Sequence, residues 1–447
     1  MNIRNIFKMV LTGSILSACT PDDVMVFENP VEVEDIKIIR LTSDHNMLLP
    51  DGKAEMVFRC MVYGIRDLKH LKMGDSGENV SYSEEMQRDT FLIPDDQLPE
   101  GFVKVYDDQG KEVVGNVFKT TDTLLDQVVF QAKGGEIVSE PLTIKIRELP
   151  ETYEELVIPV MFHILIPQAT DRPTYSVDQE KLEQTIQRWN DIFNNRVSTN
   201  PNGGNARITF KLALYNENGN LLEYPGREEI KLEEELDQQG YIDFVNNGHV
   251  WDPSRYLNIY IANYSKTFSG SGRGSGIYIA PAPKVIMEGM EAIPGIEAKV
   301  VSSFGPEDIM TFSDVAIMLN YNGFLNPSSL NRDNAMDLSV PVAAFLGLEF
   351  MAYSEYYDYG VGDYVGNLVD GDTDYCADTK VYDSAYGIYK TDYFNEKEYF
   401  TTFNIMADYS RNNSITVDQA RRIRMVLERC PSRWFYKSSW AFNGKHD

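Results

Sequence analysis

Residues 334–353 read NAMDLSVPVAAFLGLEFMAY, and the interpretation of the second half of the chain depends on this stretch. Its apolar run at 343–348 contains Gly347. A glycine is common just after the last turn of a helix because it adopts positive φ angles at little cost. Pro341 lacks a backbone donor and would cost about 3 kcal/mol in a helix interior, so it must lie near the helix start. We therefore expect a short helix that ends near Gly347 and a sharp turn after it.

The sequence before this stretch alternates strand and helix patterns. Residues 157–165 (VIPVMFHIL) form an almost continuous apolar strand pattern, and residues 208–214 alternate apolar and polar side chains. Residues 251–261 end in a third strand pattern. Between the first two strands, four large apolar residues fall at helical spacing on one face: Leu182, Ile186, Trp189 and Phe193. This order predicts a domain of mixed α and β structure, which we place at 153–447.

Residues 30–147 have a different pattern, in which short strands and turns follow one another without a convincing helix. Residues 56–63 (MVFRCMVY) predict a buried strand that ends at Gly64, with Cys60 in the core. Residues 102–114 predict a hairpin, and further strands follow. Regularly spaced strands of this kind favour an all-β immunoglobulin-like sandwich. We expect this domain to be a spacer or an adhesion module, joined to the next by an acidic linker at 148–155.

Five blocks in the second domain resemble the pappalysin-type zinc peptidases of the metzincin family. They are IPVMFHIL at 158–165, WNDIF at 189–193, WDPSRYLNIYIAN at 251–263, FTTFNIMADYS at 400–410 and TVDQARRIR at 416–424. The resemblance implies an α+β metzincin-like (zincin) fold. It also implies that Met406 forms the methionine turn beneath the metal position and that residues 416–424 begin the closing helix.

The same resemblance aligns the opening stretch with the zinc motif H-E-x-x-H-x-x-G-x-x-H, in which three histidines bind zinc and the Glu is the general base. With Gly347 at the motif glycine, Val340, Ala344 and Phe350 occupy the histidine positions. Pro341 occupies the position of the catalytic Glu. None of these side chains can bind a metal or accept a proton. The resemblance thus implies a zinc peptidase frame without zinc and without catalytic residues.

The histidine count leads to the same expectation. The chain has five histidines, at His45, His70, His163, His249 and His446. No two are four residues apart, and none lies between residues 250 and 445. A hydrolytic zinc site needs about three protein ligands and one open position, so we expect no zinc cofactor. We interpret His163, inside an apolar strand, as a hydrogen-bonded core residue. A nucleophilic triad assembled from residues that are distant in the sequence stays an alternative.

One acidic loop has some features of a calcium site. Its carboxylates fall at loop positions 1, 3, 5 and 9: Asp370, Asp372, Asp374 and Asp378. The loop lacks the glycine at position 6 and the glutamate at position 12 that calcium loops of the EF-hand type contain. Some relatives in the resembled family bind calcium nearby. The segment is therefore a candidate calcium site, with a solvated loop as the alternative.

The N-terminus predicts export and a lipid anchor. A positive start is followed by a short apolar run and by Leu-Ser-Ala-Cys at 16–19. This pattern resembles the lipobox of bacterial lipoproteins, which implies a signal peptide at 1–18, lipidation of Cys19 and an acidic tether at 19–29. An ordinary signal peptide is the alternative. We expect a location at the outer membrane of a Gram-negative bacterium, with the cell surface as a further alternative.

The remaining cysteines, Cys60, Cys376 and Cys430, would then lie in an oxidising compartment. We expect one disulfide, between Cys376 and Cys430, which share a domain. It should stabilise that domain by about 4 kcal/mol.

Length and charge limit the classes of function. The chain has 447 residues, 43% of them hydrophobic, which is enough for two or three folded domains. Its formal net charge of -27 argues against nucleic-acid binding and against charge-driven binding to anionic lipid. Three hypotheses stay open: a non-catalytic protein that binds peptide, protein or glycan, a peptidase or other hydrolase with unrecognised residues, and a structural surface component.

Overall fold

The computed structural model describes residues 35–73, 82–168, 177–234, 236–262, 278–309, 312–320, 338–349, 351–353, 355–358, 363–366, 374–379, 382–383, 389–391, 399–407 and 412–445. The predicted signal peptide, the tether with Cys19, and residues Phe350, Asp370 and Asp372 lie outside these ranges. Within the ranges, no helix is both long enough and apolar enough to cross a membrane.

The chain divides into two compact units. The N-terminal unit consists of the chain up to Thr42, Val57–Phe118 and Gln127–Ile144. The C-terminal unit consists of Ser43–Met56, Lys119–Asp126 and the chain from Lys145 onward.

The first strands are β1 (Ile36–Ser43), β2 (Met47–Leu48), β3 (Met56–Met73), β4 (Tyr82–Ile93), β5 (Lys104–Asp107), β6 (Val117–Phe118), β7 (Gln127–Gly134), β8 (Ile137–Val138) and β9 (Leu142–Ile146). There follow β10 (Leu156–Pro167), helix α1 (Gln179–Phe193), β11 (Ile208–Leu212), β12 (Arg227–Leu232), α2 (Gln238–Asn246), β13 (Leu257–Ala262), β14 (Tyr278–Ile279), β15 (Val285–Met287), β16 (Lys299–Val301) and β17 (Ala316–Asn320). The last elements are α3 (Ser339–Phe345), β18 (Ala352–Tyr353), β19 (Glu355–Asp358), β20 (Asp363–Gly366), β21 (Tyr382–Asp383), β22 (Tyr389–Thr391), β23 (Tyr399–Thr401), α4 (Val417–Arg429) and α5 (Trp440–Asn443).

The N-terminal unit is built from strands in its described part. One sheet has the order β1-β3-β4, with β6 on β3, and in a second set β7 pairs with β5 and β8. Phe58 and Phe118 pack on Phe130, with ring centroids 4.5 and 5.0 Å from it. Cys60 is half-buried, and burial raises the pKa of its thiol to about 11. The immunoglobulin-like topology stays a prediction.

The predicted end of β3 at Gly64 was wrong, because the strand continues to Met73. Gly64 lies opposite Phe91 on β4. A Cβ at Gly64 would lie 2.4 Å from Cζ of the Phe91 ring, so this strand position requires a residue without a side chain. The glycine provides space for an aromatic ring instead of ending the strand.

The C-terminal unit has mixed α and β structure around a six-stranded sheet of order β11-β10-β13-β17-β14. The central strand β10 pairs in parallel with β11 along its first half and with β12 along its second half. β13 and β17 continue the parallel sheet, and β14 closes it in the antiparallel direction. The apolar sequence of β10 is what a parallel strand covered on both faces requires.

The two faces of this sheet contact different cores. Alternate residues of β10 (Ile158, Val160, Phe162 and Ile164) belong to the main core, together with buried residues of α1, α3 and α4. The predicted apolar face of α1 is confirmed, and the helix begins at Gln179. Met161 and Leu165 point to the opposite face, into two smaller clusters near α5 and α2 respectively. His163 lies between them on that face.

Candidate functional site

Helix α3 is the short helix that the opening stretch predicts. It spans Ser339–Phe345, and Gly347 follows with a φ of 90°. Pro341 is the third residue of the helix, where the backbone N–H would have no partner within the helix, so the proline breaks no hydrogen bond. A Cβ at Gly347 would lie 2.7 Å from Cγ2 of Val426 on α4. Both the backbone angle and the neighbouring helix therefore require glycine at this turn.

The described positions on α3 that the resemblance aligns with zinc ligands lie at the main core. Val340 is buried there, and Ala344 packs against the same cluster while staying partly exposed. Among the described residues, no group of three or more His, Cys, Asp or Glu side chains could hold a metal ion. Zinc binds through imidazole, thiolate or carboxylate groups, and Val340, Pro341 and Ala344 offer none. The residues described at α3 do not fit a zinc ion.

Met406 lies in the same core as α3 and is fully buried. Asn404 holds the turn that contains Met406. Its side-chain oxygen accepts a hydrogen bond from the Met406 N–H at 2.9 Å, and its side-chain nitrogen donates one to Oε1 of Gln419 on α4 at 2.9 Å. The Met406 carbonyl accepts from the N–H of Met351 at 3.3 Å. Polar contacts and apolar packing thus fix this turn next to α3.

A buried arginine holds the C-terminal end of α3. Arg433 has no exposed surface, and its Nε donates to the carbonyl of Phe345 at 3.0 Å. Its other nitrogens donate to the carbonyls of Asp314 at 3.2 Å and Pro281 at 2.9 Å. The guanidinium also lies 3.4 Å from the centroid of the Phe345 ring. Burial lowers the pKa of Arg433 to about 9, which leaves it charged at neutral pH.

A second arginine holds the turn that follows. Arg422 on α4 is almost completely buried, and its Nε donates to the carbonyl of Gly347 at 2.6 Å. Nη1 donates to the carbonyl of Pro294 at 2.8 Å, and Nη2 lies 3.7 Å from a carboxylate oxygen of Glu349. Burial raises the pKa of Glu349, and the Arg422 charge opposes this shift. The negative end of the α3 dipole therefore faces two cations.

The candidate calcium loop has its two described aspartates in a buried network. Asp374 accepts from the hydroxyl of Thr379, the N–H of Cys376 at 3.3 Å and the side-chain amide of Gln419 at 3.3 Å. Burial raises the pKa of Asp374 to about 6, and the neighbouring Asp378 adds to the shift. Since Asp370 and Asp372 lie outside the described residues, calcium binding by the loop stays a prediction.

Asp378 caps the N-terminus of α4. It accepts from the hydroxyl of Thr416 at 2.6 Å and the N–H of Asp418 at 2.9 Å. It also accepts from the amide of Asn202 at 2.8 Å and pairs with Arg147 at 3.0 Å. Burial, followed by the charge of Asp418, raises the pKa of Asp378 despite the Arg147 contact. An anion at this position complements the positive end of the α4 dipole.

His163 is buried, and both of its ring nitrogens have hydrogen-bond partners. This agrees with its interpretation as a hydrogen-bonded core residue. Nδ1 lies 2.7 Å from a carboxylate oxygen of Glu228, and Nε2 lies 2.9 Å from the amide oxygen of Asn258. No zinc ligand set forms around it within the described residues.

The predicted disulfide between Cys376 and Cys430 is absent, since both are free, buried thiols. Cys430 packs in a small apolar cluster with Ile286, Ile293 and Val426, whereas Cys376 lies in the carboxylate network beside Asp374. Burial raises the pKa of Cys430 to about 11 and raises that of Cys376 further still. The two thiols occupy different environments, and burial disfavours the thiolates that disulfide exchange needs.

Sequence reasoning missed the arginines that hold α3. A weak signal existed for Arg422, because it lies three residues after Gln419 and four before Val426, which places all three on one buried helix face. No local pattern marks Arg433.

No model of a known protein family matches the sequence, and no curated protein sequence does so either. Among the solved structures that resemble part of the chain are three of mirolysin or its precursor. Mirolysin in complex with compound 9 has 21% identity and a TM-score of 0.43, covering 65% of this chain and 98% of that chain. Mature mirolysin of Tannerella forsythia in complex with a cleaved peptide has 19% identity and a TM-score of 0.41, with the same coverage.

A promirolysin mutant from that organism has 19% identity and a TM-score of 0.41, covering 66% of this chain and 88% of its own. At these identities and TM-scores, the likeness supports no conclusion about activity, substrate or metal.

Proposed function

We propose that this chain is an exported, lipid-anchored protein with the frame of a metzincin-like zinc peptidase, and that it binds a peptide, protein or glycan without cleaving it. The main observation behind the proposal is that the side chains of α3 at the positions aligned with the zinc motif offer no atom that could bind a metal ion. Val340, Pro341 and Ala344 provide no ligand and no base, so zinc-activated water has neither a metal site nor a proton acceptor there.

The surroundings of α3 support the same proposal. In a zinc site, the metal would connect the helix to the chain after its glycine. In this chain Arg433 and Arg422 hold the carbonyls of Phe345 and Gly347. Met406 packs in the same core as the helix. These contacts provide a stable structure that needs no metal, which is what a binding protein that has lost catalysis requires.

Metal analysis tests the proposal directly. The full chain, purified after growth with added zinc, should contain no stoichiometric zinc and should not hydrolyse a peptide library. One tightly bound zinc per chain, removed by a chelator together with peptide hydrolysis, would overturn the non-catalytic proposal. Hydrolysis that survives the chelator would instead indicate a hydrolase that uses other residues.

A restored variant tests the alignment of the motif. A variant that combines Val340→His, Pro341→Glu, Ala344→His and Phe350→His should bind zinc, with or without activity, because the resemblance assigns the three imidazoles to one zinc ion. The matched control has the same three histidines with Pro341 retained, and it should bind zinc without gaining a general base. If neither variant binds zinc while both stay folded, the assignment of the motif to α3 fails.

Ligand binding needs its own measurement. The purified chain can be tested against peptide and glycan arrays, followed by calorimetry with any hit. Binding that is lost after a bulky substitution at the exposed side of Ala344, such as Ala344→Trp in a folded variant, would place the ligand at the α3 frame. Absence of any ligand on both arrays would favour the structural alternative.

The anchor is tested with Cys19. Cys19→Ser should move the protein from the membrane fraction to the soluble fraction, and the wild-type chain should show the mass of an attached lipid. Cys60→Ser is the control and should leave the partition unchanged. Membrane partition that persists in Cys19→Ser, with no added mass in the wild type, would contradict the anchor.

A further inference from the structure

Strand β11 lies at the edge of the C-terminal sheet and has one neighbour, β10, among the described strands. The carbonyl of Arg207 and the N–H of Ala213 bond to β10. In a parallel strand, the N–H and C=O of one residue point to the same side, and the side alternates along the strand. Ile208 and Phe210 therefore direct their backbone groups away from β10. A row of such groups at a sheet edge is a template for another strand.

Two asparagines bond to these outward groups, Asn190 in helix α1 and Asn194 at its C-terminal cap. Oδ1 of Asn190 accepts from the Phe210 N–H at 2.7 Å, and its Nδ2 donates to the Phe210 carbonyl at 3.0 Å. Oδ1 of Asn194 accepts from the Ile208 N–H at 3.2 Å, and its Nδ2 donates to the Ile208 carbonyl at 2.7 Å. Each side chain thus satisfies both backbone groups of one residue.

The side-chain type suits this pair of bonds. A primary amide has an acceptor oxygen beside a donor nitrogen, so it matches the N–H and C=O of one residue. An ionised aspartate in the same place would only accept, and an apolar side chain would do neither. Both asparagines are buried, with exposed fractions of 8% and 9%, so the bonds are shielded from water.

The repeats of the helix and the strand also match. Four residues of an α-helix rise about 6 Å, and two residues of a parallel strand rise about 6.6 Å. Asn190 and Asn194 are four residues apart, and the strand residues that they contact are two apart. Successive turns of α1 therefore meet successive outward positions of β11. The two amides occupy the place that the backbone of a further strand would take.

Apolar contacts hold α1 at β11 independently of the amides. The rings of Trp189 and Phe193 lie 5.5 and 5.3 Å from the ring of Phe210, measured between centroids. All three residues belong to the main core. Loss of the two amides should therefore leave the helix on the sheet and leave the outward groups of β11 without partners.

We propose that Asn190 and Asn194 close the β11 edge against strand addition by a second copy of this chain. A second copy is the partner that fits, because every copy has the same edge. Two such edges can pair in the antiparallel direction about a two-fold axis. The asparagines occupy the hydrogen bonds that this pairing needs. They act at the sheet edge, independently of what α3 binds.

Hydrogen exchange of the purified full chain at low concentration tests the bonds. In the variant that combines Asn190→Ala with Asn194→Ala, the amides of Ile208 and Phe210 should exchange about tenfold faster than in the wild type, the effect of losing one hydrogen bond. The amide of Thr209 points to β10 and is the internal control, which should keep its rate. Unchanged exchange at Ile208 and Phe210, or equal acceleration at Thr209, overturns the proposal.

Sedimentation velocity tests the closure of the edge. The double variant should form a dimer whose fraction rises with concentration, beyond any self-association of the wild type. In that dimer the Ile208 amide should exchange slowly again. The matched control combines Gln187→Ala with Asp191→Ala, which removes an exposed hydrogen bond of 2.8 Å at the same spacing on α1. The control should sediment like the wild type.

Two results of this experiment overturn the proposal. One is a folded double variant that sediments like the wild type. The other is a dimer in which the Ile208 amide still exchanges fast, because such a dimer forms at another surface. If the double variant does not fold, Asn194→Ala alone is measured in both experiments and is judged by the same outcomes at Ile208.

Discussion

In the C-terminal unit, buried charges of opposite sign hold the end of helix α3 and the start of helix α4. At the C-terminal end of α3, Arg433 and Arg422 donate to backbone carbonyls. At the N-terminal end of α4, Asp378 accepts from a backbone N–H. Both arrangements complement the helix dipoles and satisfy backbone groups that a helix end leaves free.

The two ends differ in their response to pH. Arg433, with its pKa lowered to about 9, stays charged at neutral pH. Asp374, in the network of Asp378, has its pKa raised to about 6, so it changes charge under mildly acidic conditions. The arginine at the end of α3 therefore keeps its charge at neutral pH, whereas Asp374, which accepts from Gln419 on α4, gains a proton in mild acid. Three substitutions can test this difference.

The largest effect is expected for Arg433→Met. The variant leaves the carbonyls of Phe345, Asp314 and Pro281 without their donor in a buried place. We expect a loss of about 3–5 kcal/mol in the free energy of unfolding, measured by denaturant titration. Arg429→Met is the control, because its partner Glu291 is exposed, and it should cost less than about 1 kcal/mol. Similar losses in both variants would show that Arg433 does not hold α3.

A smaller effect is expected for Gly347→Ala. Its φ of 90° disfavours any side chain, and the new Cβ would also meet Val426 at 2.7 Å. We expect a loss of about 2–4 kcal/mol, combining backbone strain with displacement of α4. Gly289→Ala separates the two causes, since Gly289 has a φ of 85° but no atom within 4 Å of its Cβ position. That control should lose about 1 kcal/mol in the same denaturant titration, and equal losses would exclude a role for the α4 contact.

The smallest effect is expected for Asp374→Asn, and it depends on pH. Burial raises the folded-state pKa to about 6, above that of the unfolded chain, so the folded protein binds the proton more tightly. Stability from this group is therefore highest below about pH 4 and falls as the pH rises to about 6. Asp374→Asn should remove this fall, so the stability of the variant should change less than that of the wild type between acid and neutral pH.

Denaturant titrations across that pH range, in the presence of a chelator, measure the effect of Asp374→Asn. If the free energy of unfolding of the Asn variant has the same pH dependence as that of the wild type, the assignment of this dependence to Asp374 is wrong. Repeating the wild-type titration with calcium tests the loop at 370–378. A calcium-dependent gain in stability would support the candidate calcium site, and no gain would leave a solvated loop.

Local sequence patterns determined much of the fold. The apolar run of β10, the buried face of α1 and the glycine turn after α3 follow from backbone periodicity and from the conformational freedom of glycine. The absence of zinc ligands at Val340, Pro341 and Ala344 also follows from sequence, because composition alone decides whether a side chain can bind a metal.

The tertiary structure decided the partners of buried polar groups. Arg433 and Phe345 are 88 residues apart, and Arg422 and Gly347 are 75 apart. The predicted disulfide is absent because Cys376 and Cys430 lie in different surroundings, which their spacing in the sequence does not indicate. Helix and strand periods constrain only neighbours along the chain, whereas hydrogen bonds between distant segments depend on how the elements pack. The groups that α3 lacks can thus be read from the sequence, whereas the residues that hold α3 in place depend on how distant segments pack.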